Sequence, residues 1–469
     1  MNKIKTIHFT GIKGVGMAPL AIIAKEAGFK VTGSDIDSTF ITDKFLEKAK
    51  IKAKVSFAKE NIGKADLVVF SGAHNGLNNI EVQFAKEKGT RVMTQGEAVG
   101  EFMKGDILNK KFVGISVAGC HGKTTTTGII AAIFEESGLS PSYLIGTGVG
   151  HFGKGNFFIA EADEYATEPV FDKTPKFLWQ HPKIAIFTNI DFDHPDMYQG
   201  IEDTKRVFLT FAKNLQDQSG LLIANGDDRN IRDILKAYTG KLITYGFSPL
   251  NDYVVKKVNI SGSQTFFWVE AKNTSLGEFT IKVPGEHNAE NASAAIICAL
   301  ESGIPLEKIK KGLASFAGTK RRFEYIGKIG NSLAYDDYAH HPTEIKKTLK
   351  AFRDVFPKSQ IVCIFQPHTY SRTKKMFDQF LDSFSYANKV IVTNIYGSER
   401  EEKDNSVSAE MLANKLSLTH PSVIFLPERD DVVKYVSLNS SDRDTILVSM
   451  GAGDIYKIWS KLNVNPHEK

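Results

Sequence analysis

The sequence predicts an α/β protein of three domains built on mostly parallel sheets, and three observations carry that reading. The chain has 469 residues, which at roughly 150 per domain divides into about three. Short β-type runs alternate with helix-type runs in three separate blocks, the pattern of βαβ units. Between the second and third blocks, residues 240–283 change to alternating Val, Ile, Thr and Phe broken by Ser, Gly and Asn turns. That stretch reads as a small antiparallel sheet attached to the middle block.

In the first block a strand over 4–10 leads into a helix over 17–26, with further strands at 30–33 and 66–71. The second opens on the apolar run 112–118, followed by a helix that starts near Lys123 and is apolar over 128–134. Strands at 156–161 and 183–189 follow, and helical spacing returns over 289–303. The third block places strands at 361–365, 389–392 and 445–449. Domain boundaries near 108 and 320 divide the chain into 1–108, 109–319 and 320–469, with no short repeat and no low-complexity segment.

Composition removes several classes. Hydrophobic residues are 42% and charged residues 24%, the balance of an ordinary folded chain, so global disorder is excluded. Lys plus Arg number 59 against 54 for Asp plus Glu, too even and too dispersed for a nucleic-acid partner. Cys120, Cys298 and Cys363 lie far apart, which gives no zinc module and no disulfide framework and suits a reducing cytoplasm. No apolar run reaches the ~18 residues of a membrane span. Lys13 and three glycines interrupt the stretch that would otherwise imitate a signal peptide. The expectation is a cytoplasmic protein with neither nucleic acid nor membrane as partner.

The strongest local signal begins where strand 112–118 runs into Gly119-Cys120-His121-Gly122-Lys123-Thr124-Thr125-Thr126-Thr127 and then into a helix. Glycines let backbone N–H groups close around phosphate oxygens, and a helix N-terminus adds favourable dipole charge. Lys123 is placed to reach the β- and γ-phosphates and Thr124 to ligate magnesium. Only two residues separate Gly119 from Gly122, a departure from the usual spacing of such loops. A plain turn with a solvated lysine leaves the coincidence of strand, lysine-threonine run and helix unexplained. The loop reads as an ATP site.

A second loop, Gly11-Ile-Lys-Gly14-Val15-Gly16, joins the first strand to the first helix, with Asp35 at the end of the next strand. It partly matches a dinucleotide fingerprint, although Pro19 stands where the third glycine belongs. A tight turn explains these glycines equally well. As a ligand site the loop suits a pyrophosphate, which a dinucleotide and a UDP-sugar both carry.

Acids gather at two strand ends, where open α/β sheets bind ligands. Glu161-Ala-Asp163-Glu164-Tyr165 ends one strand, with Glu161 placed to hold magnesium beside the phosphates. Thr188-Asn189-Ile-Asp191-Phe-Asp193-His194-Pro195-Asp196 ends the next. Its three aspartates and histidine suit a second hard cation, or serve as caps and solvated loop acids.

Assembled, these motifs resemble the Mur ligase family over essentially the whole chain. The series is GIKGVGM at 11–17, AGCHGKTTTT at 118–127, EADE at 161–164, TNIDFDHPD at 188–196 and GEHNAENASAA at 285–295. It continues with KRRFE at 320–324, DDYAHHPTE at 336–344, FQPHTYSRT at 365–373 and GAGDI at 451–455. The resemblance implies a Rossmann-like N-terminal domain for a UDP-sugar and a central P-loop ATPase domain. A Rossmann-like C-terminal domain would hold the amino acid and part of the nucleotide.

The nearest resemblance is to members that add L-alanine. It implies an ADP-forming, magnesium-dependent ligase that joins L-alanine to the lactyl carboxylate of UDP-N-acetylmuramate through an acyl phosphate. Such an enzyme serves peptidoglycan precursor synthesis, as a monomer or weak homodimer. Carried across by position, Gly11, Gly14, Val15, Gly16 and Asp35 would meet the UDP-sugar. Gly119, Cys120, His121, Gly122, Lys123, Thr124 and Thr125 would surround the phosphates, with Thr124, Glu161 and His194 as metal ligands. Asn288 and Asn291, one face of a helix at this spacing, would contact adenine, Arg322 the nucleotide phosphates and Asp337 the ribose. His340, His341, His368 and Arg372 would face the acceptor amino acid. Arg372 would fork onto its carboxylate, and His368 or a water would take the amine proton. Lys123, Glu161, His194, His368 and Arg372 would be the catalytic set.

One position departs. Tyr165 follows EADE where alanine-adding members usually carry Ser-Asp, and is more typical of the relative that recycles an intact tripeptide onto UDP-N-acetylmuramate. FQPHTYSRT matches the alanine-adding pattern instead. Two other classes fit less of the chain. A nicotinamide-dependent dehydrogenase would leave the Lys123 loop unexplained, and a nucleotide switch would turn over ATP whatever the sugar.

Overall fold

In the computed structural model, which describes residues 4–272, 274–398, 401–439, 444–462 and 464, each sequence block wraps around its own sheet. The first sheet runs Lys54–Val55, Lys30–Asp35, Thr6–Thr10, Leu67–Phe70, Arg91–Thr94, all parallel. Its middle strand is buried from Ile7 to Thr10, as expected for strands covered on both faces. The loop Gly11–Gly16 leaves the carboxyl end of that strand, and Gly11 takes φ +79°, a conformation that glycine adopts without penalty. Helix Met17–Glu26 follows. Pro19 falls in its first turn, where a backbone N–H has no intrahelical partner to lose.

The middle sheet has ten strands. Val113–Ala118 lies between Phe157–Ala162 and Ile184–Phe187, all parallel, so the phosphate loop and both acidic strand ends emerge side by side. The antiparallel strands Tyr253–Ser261, Gln264–Ala271 and Thr274–Ile281 do not form a separate sheet. They extend the parallel one through Lys241–Gly246. A second antiparallel piece, the ribbon Ala166–Glu168 with Asp172–Pro175, carries no alternating pattern and was not foreseeable from sequence.

Helix Lys123–Glu136 is buried almost all round. It packs with helices Glu286–Glu301 and Leu306–Ser315 into the largest apolar core. At Gly312 a Cβ would stand 2.5 Å from Ile133 Cα, so this glycine sets how closely two of the helices approach.

The third sheet pairs Glu324–Ile329 antiparallel to Ser332–Asp337, then continues in parallel through Thr445–Met450, Gln360–Phe365, Lys389–Val392 and Val423–Phe425. The first and middle blocks share a core: Leu144, Phe158 and Ala160 of the middle sheet pack with Phe9, Met17 and Leu20. No helix among the described residues is long and apolar enough to cross a membrane.

Candidate active site

The phosphate loop is shaped by two glycines. Gly119 has φ +142° and Gly122 φ +81°, both in the region that favours glycine. A Cβ on Gly119 would collide with Thr188 Oγ1, and one on Gly122 would lie 2.6 Å from Asn291 Oδ1. Residues of the neighbouring strand end brace the loop. Thr188 Oγ1 donates to His121 O at 2.6 Å, and His121 N donates to Asn189 Oδ1 at 2.9 Å.

Lys123, at the start of the helix, donates to Gly119 O at 2.5 Å and to Glu164 Oε2 at 2.9 Å. Burial favours its neutral form, but Glu164 and Asp163 outweigh that and raise the ammonium's pKa. Thr124 Oγ1 donates to Glu161 Oε2 at 3.2 Å, while Gly146 N donates to Glu161 Oε1 at 2.5 Å. Burial pushes the Glu161 carboxyl up, against the Gly146 N–H and Lys123. His121 sits between Asp191, 3.2 Å from Nε2, and Glu344, 3.4 Å from Nδ1. Burial would lower its pKa, and the two carboxylates raise it to about 9. The loop therefore presents an imidazolium as well as an ammonium.

Between the middle and third blocks lies a cavity of about 260 Å³. Of the expected nucleotide residues, His121, Gly122, Thr125, Asn288, Asn291, Arg322 and Asp337 line it, while Gly119, Cys120, Lys123 and Thr124 are not part of its wall. Asn291 Nδ2 donates to Asn288 Oδ1 at 3.3 Å, so the pair does share a helix face. Asp337 accepts from Phe323 N and Ala339 N, both at 2.8 Å. Burial, offset by Arg322, lifts its carboxyl to about 6.

Three expectations meet a different geometry. Of the metal set, Thr124 and Glu161 touch, while His194 turns to Glu164 at 3.7 Å and Asp193 at 3.6 Å. Arg372 directs its Nε and Nη2 at Asp193 Oδ1, at 2.8 and 2.7 Å, and its Nη1 at His368 O, at 2.7 Å. Its fork is thus already engaged within the protein. Asp35 Oδ2 accepts from Lys13 N at 2.7 Å, which ties the residue to the Gly11–Gly16 loop, while Oδ1 accepts from Ile36 N at 2.8 Å, so both oxygens are engaged within the protein. Gly14 and Gly16 lie in that loop, and Val15 is exposed on it.

His340 and His341 lie beside the cleft. His340 Nδ1 is 3.3 Å from Glu344, and His341 Nε2 donates to Phe192 O at 3.2 Å. Tyr165, the departing residue, is buried, donates to Asp196 Oδ2 at 2.6 Å and packs its ring on His194. Cys120 is buried, with Sγ 3.1 Å from Asp191 O.

The sequence gives no role to Glu164 or Glu344, and Asp193, expected there as a cation ligand or loop acid, is instead paired with Arg372. Glu344 is the centre of a charged knot, 3.4 Å from both Arg322 and His121. Its sequence signal, an acid in the first turn after Pro342, looks like ordinary helix capping. Asn225, Asp228, Tyr245 and Lys347 also line the cavity and carry no motif of their own.

A lysine-bearing loop at a helix N-terminus, flanked by acids at adjacent strand ends and opening into a cleft between blocks, defines a nucleoside-triphosphate-using α/β protein. Comparison with known proteins names the family. Residues 6–106 match "Mur ligase family, catalytic domain", 117–299 "Mur ligase middle domain" and 321–453 "Mur ligase, glutamate ligase domain".

The UDP-N-acetylmuramate–L-alanine ligase of Desulfitobacterium hafniense is 38% identical over 97% of this chain and 99% of its own. That of Acetivibrio thermocellus is 40% identical over 97% and 95%. Among solved structures, the UDP-N-acetylmuramate-alanine ligase of Thermotoga maritima superposes with a TM-score of 0.80 at 26% identity, covering 98% of each chain. A murein peptide ligase from Psychrobacter arcticus shares the fold, with a TM-score of 0.70 at 24% identity over 98% of each. The chain belongs to the Mur ligase family.

Proposed function

We propose that this protein joins L-alanine to the lactyl carboxylate of UDP-N-acetylmuramate with cleavage of ATP to ADP and phosphate, a step of peptidoglycan precursor synthesis. The observation that carries the reading is similarity along nearly the full length to ligases of that name. The cleft beside Lys123 and Glu161 offers the matching chemistry.

In this reading residues 1–108 bind the UDP-sugar through the Gly11–Gly16 loop, 109–319 hold ATP, and 320–469 bring the amino acid. Location in the cytoplasm and a monomer or weak homodimer belong to the same proposal. The lactyl carboxylate attacks the γ-phosphorus and ADP leaves. The amine of L-alanine then attacks the acyl carbon and phosphate leaves.

No nucleophilic side chain is required, because two anions must only be brought together and their charge offset. Lys123 exchanges Gly119 O for phosphate oxygens, His121 adds a second positive charge, and the loop N–H groups close on the phosphates. Magnesium fits the donor set: a hydroxyl and a carboxylate in contact at Thr124 and Glu161 are hard oxygen ligands. Nearby Glu164 Oε1 is buried without a hydrogen-bond partner among the described residues. Once bound, the ion would offset phosphate charge. Gly146 N–H keeps Glu161 aimed at that position whether or not it is filled.

Phosphate release with ATP, magnesium and UDP-N-acetylmuramate, compared across L-alanine, glycine, L-serine and the tripeptide, tests the proposal. Release should require sugar and amino acid together and be fastest with L-alanine. Preference for the tripeptide would make this the recycling ligase, and release without the sugar would make it a nucleotide switch.

A further inference from the structure

The buried contact between Asp193 and Arg372 joins the middle block to the third across 179 residues. Both side chains are at most 5% exposed. The guanidinium donates from Nε to the carboxylate oxygen Oδ1 at 2.8 Å, and Nη2 lies 2.7 Å from the same oxygen. The other face of the same group meets His368: Nη1 lies 2.7 Å from His368 O and 3.1 Å from His368 Nδ1.

A guanidinium carries five N–H donors and no acceptor. The contact at Nδ1 therefore requires a lone pair on that nitrogen, and a neutral ring must carry its one proton on Nε2. Burial and the adjacent Arg372 charge both hold the ring in its neutral form. Its plane is set by Tyr396, stacked at 5.8 Å and 17°, and by His340, edge-on at 5.8 Å.

We propose that Asp193 is a positioning residue which, through Arg372, locks His368 as an Nε2–H donor toward the carboxylate of the acceptor amino acid. This rests on the function proposed above. It changes two assignments made from sequence. His368 has no ring lone pair left to take the amine proton, so that proton goes to water. The Nε and Nη1 groups of Arg372 are committed within the protein, so the acceptor carboxylate meets the arginine through Nη2 alone, beside one imidazole N–H, instead of a full fork.

The test begins with the unaltered full-length protein. With its histidines labelled with nitrogen-15, the His368 resonances, identified by their loss in His368→Gln, should show an unprotonated Nδ1 and a protonated Nε2. A protonated Nδ1 overturns the proposal and needs no variant other than the one used for identification. If that variant fails to fold, loss of the resonance in His368→Asn identifies the ring.

Asp193→Asn keeps an acceptor oxygen but removes the charge. It should raise KM for L-alanine roughly tenfold, leave KM for ATP within twofold, and show both imidazole tautomers. Equal losses on both substrates, or none, overturn the positioning role. In His368→Gln, whose amide still donates, the loss should fall on KM for L-alanine. A hundredfold loss of kcat with KM unchanged would instead make His368 the proton acceptor. Phosphate release by the unaltered protein that ignored L-alanine would defeat the proposed function while leaving the tautomer measurement standing.

Discussion

Two glycines flanking one helix separate backbone strain from damage to the nucleotide cleft. Gly122 precedes helix Lys123–Glu136 and Gly138 follows it, and both have φ +81°. Alanine at either position would be held left-handed, at a cost of about 1–2 kcal/mol. Their surroundings differ. Among the described residues nothing lies within 4 Å of a Cβ on Gly138, whereas one on Gly122 would stand 2.6 Å from Asn291 Oδ1.

Relieving the second contact means moving either the loop or Asn291, which itself donates to Asn288. A displacement approaching 1 Å at a reacting site costs on the order of 100-fold. Chemical denaturation should therefore show a loss of stability for both variants, at least as large for Gly122→Ala as for Gly138→Ala. Steady-state phosphate release should show kcat/KM for ATP reduced about 10- to 100-fold in Gly122→Ala alone. Equal ATP kinetics in the two variants would refute the claim that the Gly122–Asn291 approach shapes the nucleotide site.

Other outcomes follow from the same geometry. Lys123→Ala should lower turnover about 100-fold or more, the scale for removing a charge partner of the transition state; near-normal phosphate release would contradict the loop assignment. Asp337, lifted to about 6 by burial, should lose its charge as pH falls through that value. KM for ATP should then rise from pH 7.5 to 5.5 in the unaltered protein, and a flat profile in Asp337→Asn would confirm the source.

Away from the cleft, Glu81 is buried and accepts from His8, Thr10, Ser34 and Asn61. Burial would raise its carboxyl, but the bonds from His8 and Ser34 outweigh it and bring it down to about 2. A depressed folded-state value stabilises above the ordinary carboxylate pKa and is lost as pH falls toward the folded one. Glu81→Gln should destabilise by about 3 kcal/mol at pH 7. The gap in urea midpoint should narrow toward pH 3, and a gap independent of pH would reject the charge as its cause.

The strand–loop–helix at 113–136 and the parallel order of the first sheet were readable from sequence, because their causes are local. A buried strand needs a continuous apolar run, and a loop around phosphates needs glycine where φ is positive. That Asn288 and Asn291 share a face was readable for the same reason, since helical spacing places them so, while their choice as adenine contacts came from the family resemblance. The ribbon at 166–175 was not, because Pro169 and its acids break every alternation that marks a strand.

The charge partners were hidden for a different reason. Glu344 looks like a helix cap until folding brings His121 and Arg322 to it. Arg372 looks like a free carboxylate clamp until Asp193, 179 residues away, takes up its fork. The linear chain by itself determined the βα elements around the phosphate loop, the loop and the family. Packing of the blocks decided which buried charges neutralise one another. Burying a charge is affordable only beside its opposite, and which opposite lies near is a property of the assembled fold.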